Sequence, residues 1–253
     1  MNLSRHPVKL GFAMVLHLSF AASVPANAQE KWDITVAPYA WLSGIDGDLG
    51  TIPGFPTQSV SFSFSDILDD LEYGGFLFVS ARKHPWVLYF DASTVKISAT
   101  ETIGGALINN FQVDSKTSNI ALAVGRTISS SNGRFVDVYA GARAWWLDNA
   151  FVINTALGSA TASGDANWID PIVGISARSA VNEKWGLFGS AEIGGFGVGA
   201  DSEWSVQIGA EYKISDRFAM NFGWRHMSVD YDDGEIIYDA VQSGPLVGAA
   251  WKF

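Results

Sequence analysis

From Trp204 to Ile214 the chain alternates residue by residue. Trp204, Val206, Ile208, Ala210 and Tyr212 fall on one side, and Ser205, Gln207, Gly209, Glu211 and Lys213 on the other. Residues two apart share a face of a β-strand, so the spacing predicts a strand with one apolar and one polar face. Met220, Phe222 and Trp224 alternate in the same way with Asn221, Gly223 and Arg225. So do Val136, Val138, Ala140, Ala142 and Ala144 with Asp137, Tyr139, Gly141 and Arg143. In a fourth segment Ile169, Pro171, Val173 and Ile175 alternate with Asp170, Ile172, Gly174 and Ser176. Proline cannot donate to a ladder, so Pro171 predicts a bulge or a locally unpaired position. The final residues keep the pattern, with Val247, Ala249, Trp251 and Phe253 on one face and Gly248, Ala250 and Lys252 on the other.

The connections come in two alternating sizes. Short ones are Lys83-His84-Pro85, Ser130 to Arg134, Asn182-Glu183-Lys184 and Ser215-Asp216-Arg217. Longer or more acidic ones are Ser43 to Tyr73, Glu101 to Asn110, Asn154 to Asp165, Gly199 to Ser202 and Asp230 to Glu235. Alternation alone is shared by a soluble antiparallel sandwich. Alternation combined with short turns on one side and long loops on the other is the layout of an outer-membrane barrel. The pattern predicts an all-β, transmembrane, antiparallel up-and-down β-barrel of about ten strands, with short periplasmic turns and longer external loops. The first two strands, near Ile34 to Leu42 and Phe76 to Lys83, are the weakest, and misplacing them makes the count eight or twelve.

The amino-terminal segment points to export. Arg5 and Lys9 precede an apolar run from Leu10 to Val24, and Ala26-Asn27-Ala28 supplies a small-residue cleavage site before Gln29. That is the layout of a secretory signal peptide, so residues 1–28 are expected to be removed and 29–253 to form one barrel domain. After this segment no run of about 18 apolar residues occurs, although the chain is 48% hydrophobic. Twenty-six glycines and ten tryptophans against eight prolines favour a barrel wall with aromatic girdles. The chain has no cysteine, so no disulfide holds the fold. Its net charge is −10, and −12 once Arg5 and Lys9 are removed, which argues against nucleic acid as a partner.

In a single wall register the polar face carries Asp33, Asp91, Asp137, Asp170, Glu192, Glu203 and Glu211, opposed by Arg143, Arg178, Lys213, Arg225 and Lys252. An unpaired buried charge costs several kcal/mol, so these residues are expected to pair inside the lumen, with Tyr139, Trp145 and Phe188 filling the remaining space. A largely filled lumen implies a structural or surface-interaction role. The alternative is a small passive porin for small solutes, preferring cations because of its acidic excess. In the first external loop, Val60 to Phe64 extends a hairpin. Ser65 or Asp66 caps a short turn whose apolar side, Ile67, Leu68 and Leu71, packs onto the barrel rim or closes the mouth as a lid.

Catalytic and ligand-binding motifs are weak. His84 falls in a periplasmic turn. His226 is near Asp230, Asp232 and Asp233, the arrangement from which a hydrolase site at the external rim starts, but alternation from Trp224 turns it to the lipid side. Asp230 to Glu235 departs from a calcium loop because Gly234 is fifth rather than sixth, and reads as a solvated Asp-Gly turn. Gly194 to Gly199 has no following helix and reads as a tight bend rather than a phosphate loop. No enzyme activity, cofactor or metal is expected.

The terminal row Val247, Ala249, Trp251 and Phe253 resembles the signal by which the barrel-assembly machinery recognises its substrates. Ala37-Pro38-Tyr39 through Gly47, Ser65 to Leu71, Ala81-Arg82-Lys83, Tyr139 to Trp145, Trp168-Ile169-Asp170-Pro171, Gly194 to Gly199, Asp230 to Gly234 and Ser243-Gly244-Pro245-Leu246 extend the likeness over nearly all of residues 29–253. Through these segments the chain resembles small porin-like or surface-antigen outer-membrane β-barrels of Proteobacteria. His84-Pro85 departs from them, since similar sequences tend to have a glycine-containing turn there. The resemblance implies a Gram-negative outer-membrane location and partnership with outer-membrane lipid and lipopolysaccharide. It carries no catalytic residues.

Overall fold

A computed structural model describes residues 31–102, 108–131, 133–155 and 158–253. The expected signal peptide and its cleavage before Gln29 lie outside the described residues. The elements in chain order are β1 (Asp33–Trp41), β2 (Gly44–Gly50), β3 (Gln58–Phe62), α1 (Phe64–Asp69), β4 (Leu71–Lys83), β5 (Trp86–Thr102) and β6 (Ile108–Ser131). Next come β7 (Arg134–Thr155), β8 (Gly158–Ala180), β9 (Trp185–Gly194), β10 (Ser202–Lys213), β11 (Phe218–Asp232) and β12 (Ile237–Lys252). From β4 to β12 each strand pairs antiparallel with the next, β1 pairs with β4, and β12 pairs with both β1 and β2. The sheet is therefore a closed barrel.

β1 and β2 are one wall strand with a gap in its ladder. Trp41 faces Leu246 and Gly44 faces Ser243, in unbroken register. Pro245 lies opposite the gap; its carbonyl accepts from Leu42 N–H at 2.9 Å, but it has no N–H to return. Counting β1 and β2 together gives ten wall strands, and β3 is an added hairpin partner of β2. Pro171 is accommodated in the same way. It pairs with Ala142 without a register shift, so there is no bulge. Its polar side faces the end of β9, beyond the last pair, Ile172–Gly194, where Gly195 N–H donates to its carbonyl at 3.2 Å.

Closure turns one face of every strand outward. Leu122, Ile169, Ile208 and Leu187 are among the large apolar side chains exposed on that face, where the surrounding medium is hydrocarbon rather than water. Aromatic residues edge the apolar band. Trp185 packs on Tyr212 and Phe218 on Trp251 at the periplasmic edge, with ring centroids 4.9 Å apart in each pair. Trp204 and Trp146 mark the outer edge, whereas Trp224, opposite Ile208, lies within the band. On β10 the step from Trp204 to Tyr212 is eight residues, about 27 Å along the strand and about 21 Å along an axis tilted by about 40°. That is close to the apolar height of an outer-membrane wall, about 25 Å.

β6, β7 and β8 are 24, 22 and 23 residues long, twice the roughly 9–11 residues a tilted strand needs to cross a bilayer. Their outer halves project beyond the band as paired ribbon. The segment Asn154 to Asp165, expected as a loop, is therefore mostly strand, with Thr155 already opposite Gly158. Continued backbone pairing replaced the loop, because polar strand residues are as acceptable as loop residues once the wall leaves lipid. The described ends of β5 and β6 likewise narrow the expected loop Glu101 to Asn110.

The first external segment forms the expected hairpin, with Asp46 facing Ser61 and Asp48 facing Ser59. The helix cap is Ser63 rather than Ser65 or Asp66. Ser63 accepts from Asp66 N–H, and the Asp66 carboxylate accepts from Ser63 N–H at 2.8 Å, a capping box. Hydrogen bonds from the Ser63 side chain and backbone hold the Asp66 carboxyl below its ordinary range. Leu68 is 51% exposed and does not join Ile67 and Leu71 in an apolar contact face.

Candidate functional site: the closed lumen

The inward face is organised in three levels from the periplasmic end outward. At the first, Arg82 donates Nη1 and Nη2 to the two carboxylate oxygens of Asp137 at 2.8 and 2.6 Å. Tyr89 Oη and Thr127 Oγ1 donate to the same carboxylate at 2.7 and 2.6 Å. The Arg82 guanidinium lies 4.0 Å from the Phe135 ring centre. Nearby, Glu211 is approached by Arg178 at 3.2 Å and by Lys252 at 3.1 Å. Bidentate and charge-assisted contacts of this kind compensate the loss of hydration.

At the second level Arg143, fully inside the wall, donates to Glu192 at 2.8 Å and to Glu203. The Trp145 indole also donates to Glu203, at 3.0 Å. Arg225 donates to Tyr39 Oη at 3.1 Å and lies 3.5 Å from Asp91, which accepts from Tyr39 Oη at 3.0 Å. Trp41 sits 5.0 Å beneath the Arg225 guanidinium as a cation–π partner. These groups span the lumen from β1 and β5 to β7, β9, β10 and β11, so they tie opposite walls together.

The third level is apolar. Trp168 stacks on Tyr231 with centroids 3.9 Å apart, and on Trp145 at 5.7 Å. Tyr238 lies 6.4 Å from Trp145 and 6.2 Å from Trp168. Met227, Val229, Leu246 and Ile236 complete a buried cluster. The external turn Gly195–Asp201 closes over it. Positive φ at Gly195, Phe196 and Gly197 bends the chain back, burying Ala200 completely and letting its N–H donate to Asp170 at 2.7 Å. Asp170 also accepts from the Trp168 indole at 2.8 Å. Higher still, the segment after β2 reaches across the mouth. Phe55 packs on Phe151 at 5.9 Å, and a Cβ on Gly164 would lie 2.3 Å from the Thr51 carbonyl oxygen. The mouth is thus covered by residues near Thr51–Phe55, while α1 rests on β2 and β3.

Below the second level a cavity of about 610 Å³ remains on the periplasmic side. Nine of the twelve lumen charges expected from the sequence line it: Asp33, Asp91, Arg143, Arg178, Glu192, Glu211, Lys213, Arg225 and Lys252. Asp137, Asp170 and Glu203 are buried against neighbouring strands or in the plug. Asp33 is exposed at the periplasmic edge, and neither it nor Lys213 joins an ion pair among the described residues. Of the expected fillers, Trp145 is in the plug, whereas Tyr139 and Phe188 border the cavity. Each lies directly opposite a glycine. Gly174 leaves room for Tyr139 and Gly209 for Phe188; a Cβ at either would meet the ring at 2.3 or 2.4 Å.

The acids of the external Asp230–Glu235 segment are used locally. Asp232 accepts from Gly234 N–H at 2.7 Å, and Asp233 from Glu235 N–H and Ile236 N–H at 2.9 and 2.7 Å. Those backbone donors, Ile236 first and then Glu235, hold the Asp233 carboxyl below its usual range. Among the described residues no group of three or more histidine or acidic side chains is placed to hold a metal ion. His226 faces outward and packs on Trp204, with centroids 4.7 Å apart.

Sequence reading missed Arg82, Tyr39, Trp41, Tyr89, Trp168, Tyr231 and Tyr238. Alternation carried a signal on β11, where Val229 and Tyr231 share the inward parity; on β4 Arg82 shares the parity of Phe76 and Phe78, but Leu77 and Val79 between them are equally apolar, so the pattern is masked there.

This closed, ten-stranded wall with its plugged lumen defines an outer-membrane β-barrel. No protein-family model matches the chain, and no curated protein matches its sequence. Among solved structures it is similar to the outer membrane protease OmpT from Escherichia coli, with a TM-score of 0.51 and 8% identity over 91% of this chain and 99% of that one. The translocator domain of the autotransporter NalP from Neisseria meningitidis matches with a TM-score of 0.43 and 11% identity, over 87% of this chain and 88% of that one. A major outer membrane protein from Thermus thermophilus matches with a TM-score of 0.39 and 14% identity, over 88% of this chain and 99% of that one. The likeness is one of fold.

Proposed function

We propose that this protein resides in the outer membrane of a Gram-negative cell, in contact with its lipid and lipopolysaccharide, and acts through its external face as a structural or surface-interaction barrel. Residues 1–28 direct export and are removed as the chain is exported, and the outward row Val247, Ala249, Trp251 and Phe253 is read by the assembly machinery. One observation carries the reading: the Trp145–Trp168–Tyr231–Tyr238 stack fills the lumen above the ion pairs. A continuous water path would have to pass through that stack. The projecting halves of β6, β7 and β8, with the β2–β3 hairpin, supply the surface available to partners.

The non-enzymatic reading is supported by the setting of His226, whose ring is packed on Trp204 on the lipid side rather than against a carboxylate. Single-channel recording of the refolded protein in a planar bilayer tests the proposal. Insertion without conductance is expected. Reproducible cation-preferring steps would replace it with the small-porin reading, in which the periplasmic cavity is a vestibule.

A further inference from the structure

We propose that the outer wall formed by β4 to β7 carries a site for the phosphorylated headgroup and one acyl chain of an outer-leaflet saccharolipid such as lipopolysaccharide. This rests on the membrane location proposed above and names a partner for it. Lys96 and Lys116 are the two cations beyond the outer girdle among the described residues, and they stand directly opposite each other on β5 and β6. Like charges in that position destabilise a sheet. Each is flanked by an acid: Lys96 Nζ lies 2.6 Å from Glu72 and Lys116 Nζ lies 3.5 Å from Asp148. Asp114 faces the same side one rung higher, already held by Ser98 at 2.5 Å and Gln112 at 2.9 Å. The resulting row, Glu72–Lys96–Lys116–Asp148, places two adjacent ammonium groups at its centre. The carboxylates already compensate the two charges, but each ammonium has three N–H donors, so a phosphate seated between them takes a charge-assisted hydrogen bond from both while the flanking carboxylates accept from sugar hydroxyls.

The rung below sets the depth. Thr94 and Ser118 are hydrogen-bonded at 2.8 Å on the same outward face. They lie between Gly75 on one side and Trp146, a member of the outer girdle, on the other. Interfacial tryptophan sits at headgroup level, so the lysines one rung higher lie at the level of lipid phosphates. Beneath them runs a shallow groove of about 440 Å³, floored by Gly75, Ala92 and Ile120 and walled by Leu77 and Trp146. It is open on the lipid side and apolar along its length, which suits an acyl chain. The same molecule meets both features: phosphate above, hydrocarbon below.

The test uses the refolded protein in micelles, with bound lipid counted by native mass spectrometry. The probes are phosphorylated lipid A, its dephosphorylated form and inorganic phosphate. The wild type is expected to retain phosphorylated lipid A about tenfold better than the dephosphorylated form, the magnitude of one charge-assisted contact. K96Q/K116Q is expected to abolish that preference. G75L, which fills the groove while leaving both lysines, is expected to weaken both lipids; a Cβ at Gly75 meets only Thr94 Cγ2, at an ordinary contact distance of 3.9 Å, so the strand itself accepts a side chain there. Equal retention by wild type and K96Q/K116Q, or binding of inorganic phosphate as tight as that of lipid A, would overturn the site. Both substitutions are on the outer wall, so a conductance result that sinks the closed-lumen reading leaves this site standing. Failure of the wild type to enter lipid vesicles sinks both.

Discussion

Arg82 and Asp137, 55 residues apart, meet in a two-point ion pair on the inside of the barrel, with donor–acceptor distances of 2.8 and 2.6 Å. Asp137 is fully buried, whereas Arg82 is partly open to the cavity. Removing the cation leaves a buried carboxylate with only two hydroxyl donors. Arg82→Leu is therefore expected to cost about 3–5 kcal/mol of unfolding free energy, and Arg82→Leu/Asp137→Leu much less. Urea titration of the refolded variants in micelles measures both. A double variant as unstable as the single one would show that the pair itself, not the stranded charge, supplies the stability.

The pair also shows how far the sequence could be read. Asp137 was legible because β7 alternates without interruption from Val136 to Ala144. Arg82 was not, because β4 begins at Leu71 inside a segment that reads as loop, and its inward residues Phe76 and Phe78 are as apolar as its outward ones. Alternation fixes which side a residue faces; it carries no information about which residue lies across the lumen. The plug escaped for a related reason. Tyr231 lies within the acidic segment Asp230 to Glu235, which reads as a loop, although the parity of Val229 places it inside. The mouth-covering contact between Phe55 and Phe151 joins segments with no periodicity in common, so no local pattern announces it.

If the aromatic stack closes the lumen, truncating it should open the lumen. Trp168→Ala/Tyr231→Ala removes the 3.9 Å stack and leaves Asp170 without its indole donor. Discrete conductance steps are expected where the wild type is silent, with cation preference because Asp170 and Glu203 then face water. Silence from a correctly inserted variant would place the seal at the Arg143 level or in the Thr51–Phe55 cover.

The external turn after β11 should respond to acid. The Asp233 carboxyl is held low by N–H donors of Ile236 and Glu235, with Tyr231 Oη adding a bond at 3.0 Å. A group whose folded pKa is depressed stabilises above its unfolded value, about 3.9, and that contribution is lost as pH falls through the folded value. Amide exchange of Glu235 and Ile236 should stay slow, after correction for intrinsic rates, down to about pH 4 and accelerate below it. Asp233→Asn should flatten that dependence. An unchanged profile in Asp233→Asn would assign the acid response elsewhere.

Gly174 provides the most local prediction. It lies opposite Tyr139 across the β7–β8 ladder, and a Cβ there would sit 2.3 Å from Tyr139 Cζ and 2.8 Å from the Ala191 carbonyl oxygen. The ring can yield by rotating into the cavity, but the backbone oxygen can move only with the strand. Overpacking of this kind typically costs about 1–3 kcal/mol, so Gly174→Ala should lower the urea midpoint accordingly. Adding Tyr139→Ala removes the ring clash and leaves the backbone one. If the ring is the main obstacle, the double variant should be more stable than the sum of the two single losses, by about 0.5 kcal/mol or more. Strict additivity would mean that strand approach alone requires glycine at 174, and that the Tyr139 ring occupies space opened for another reason.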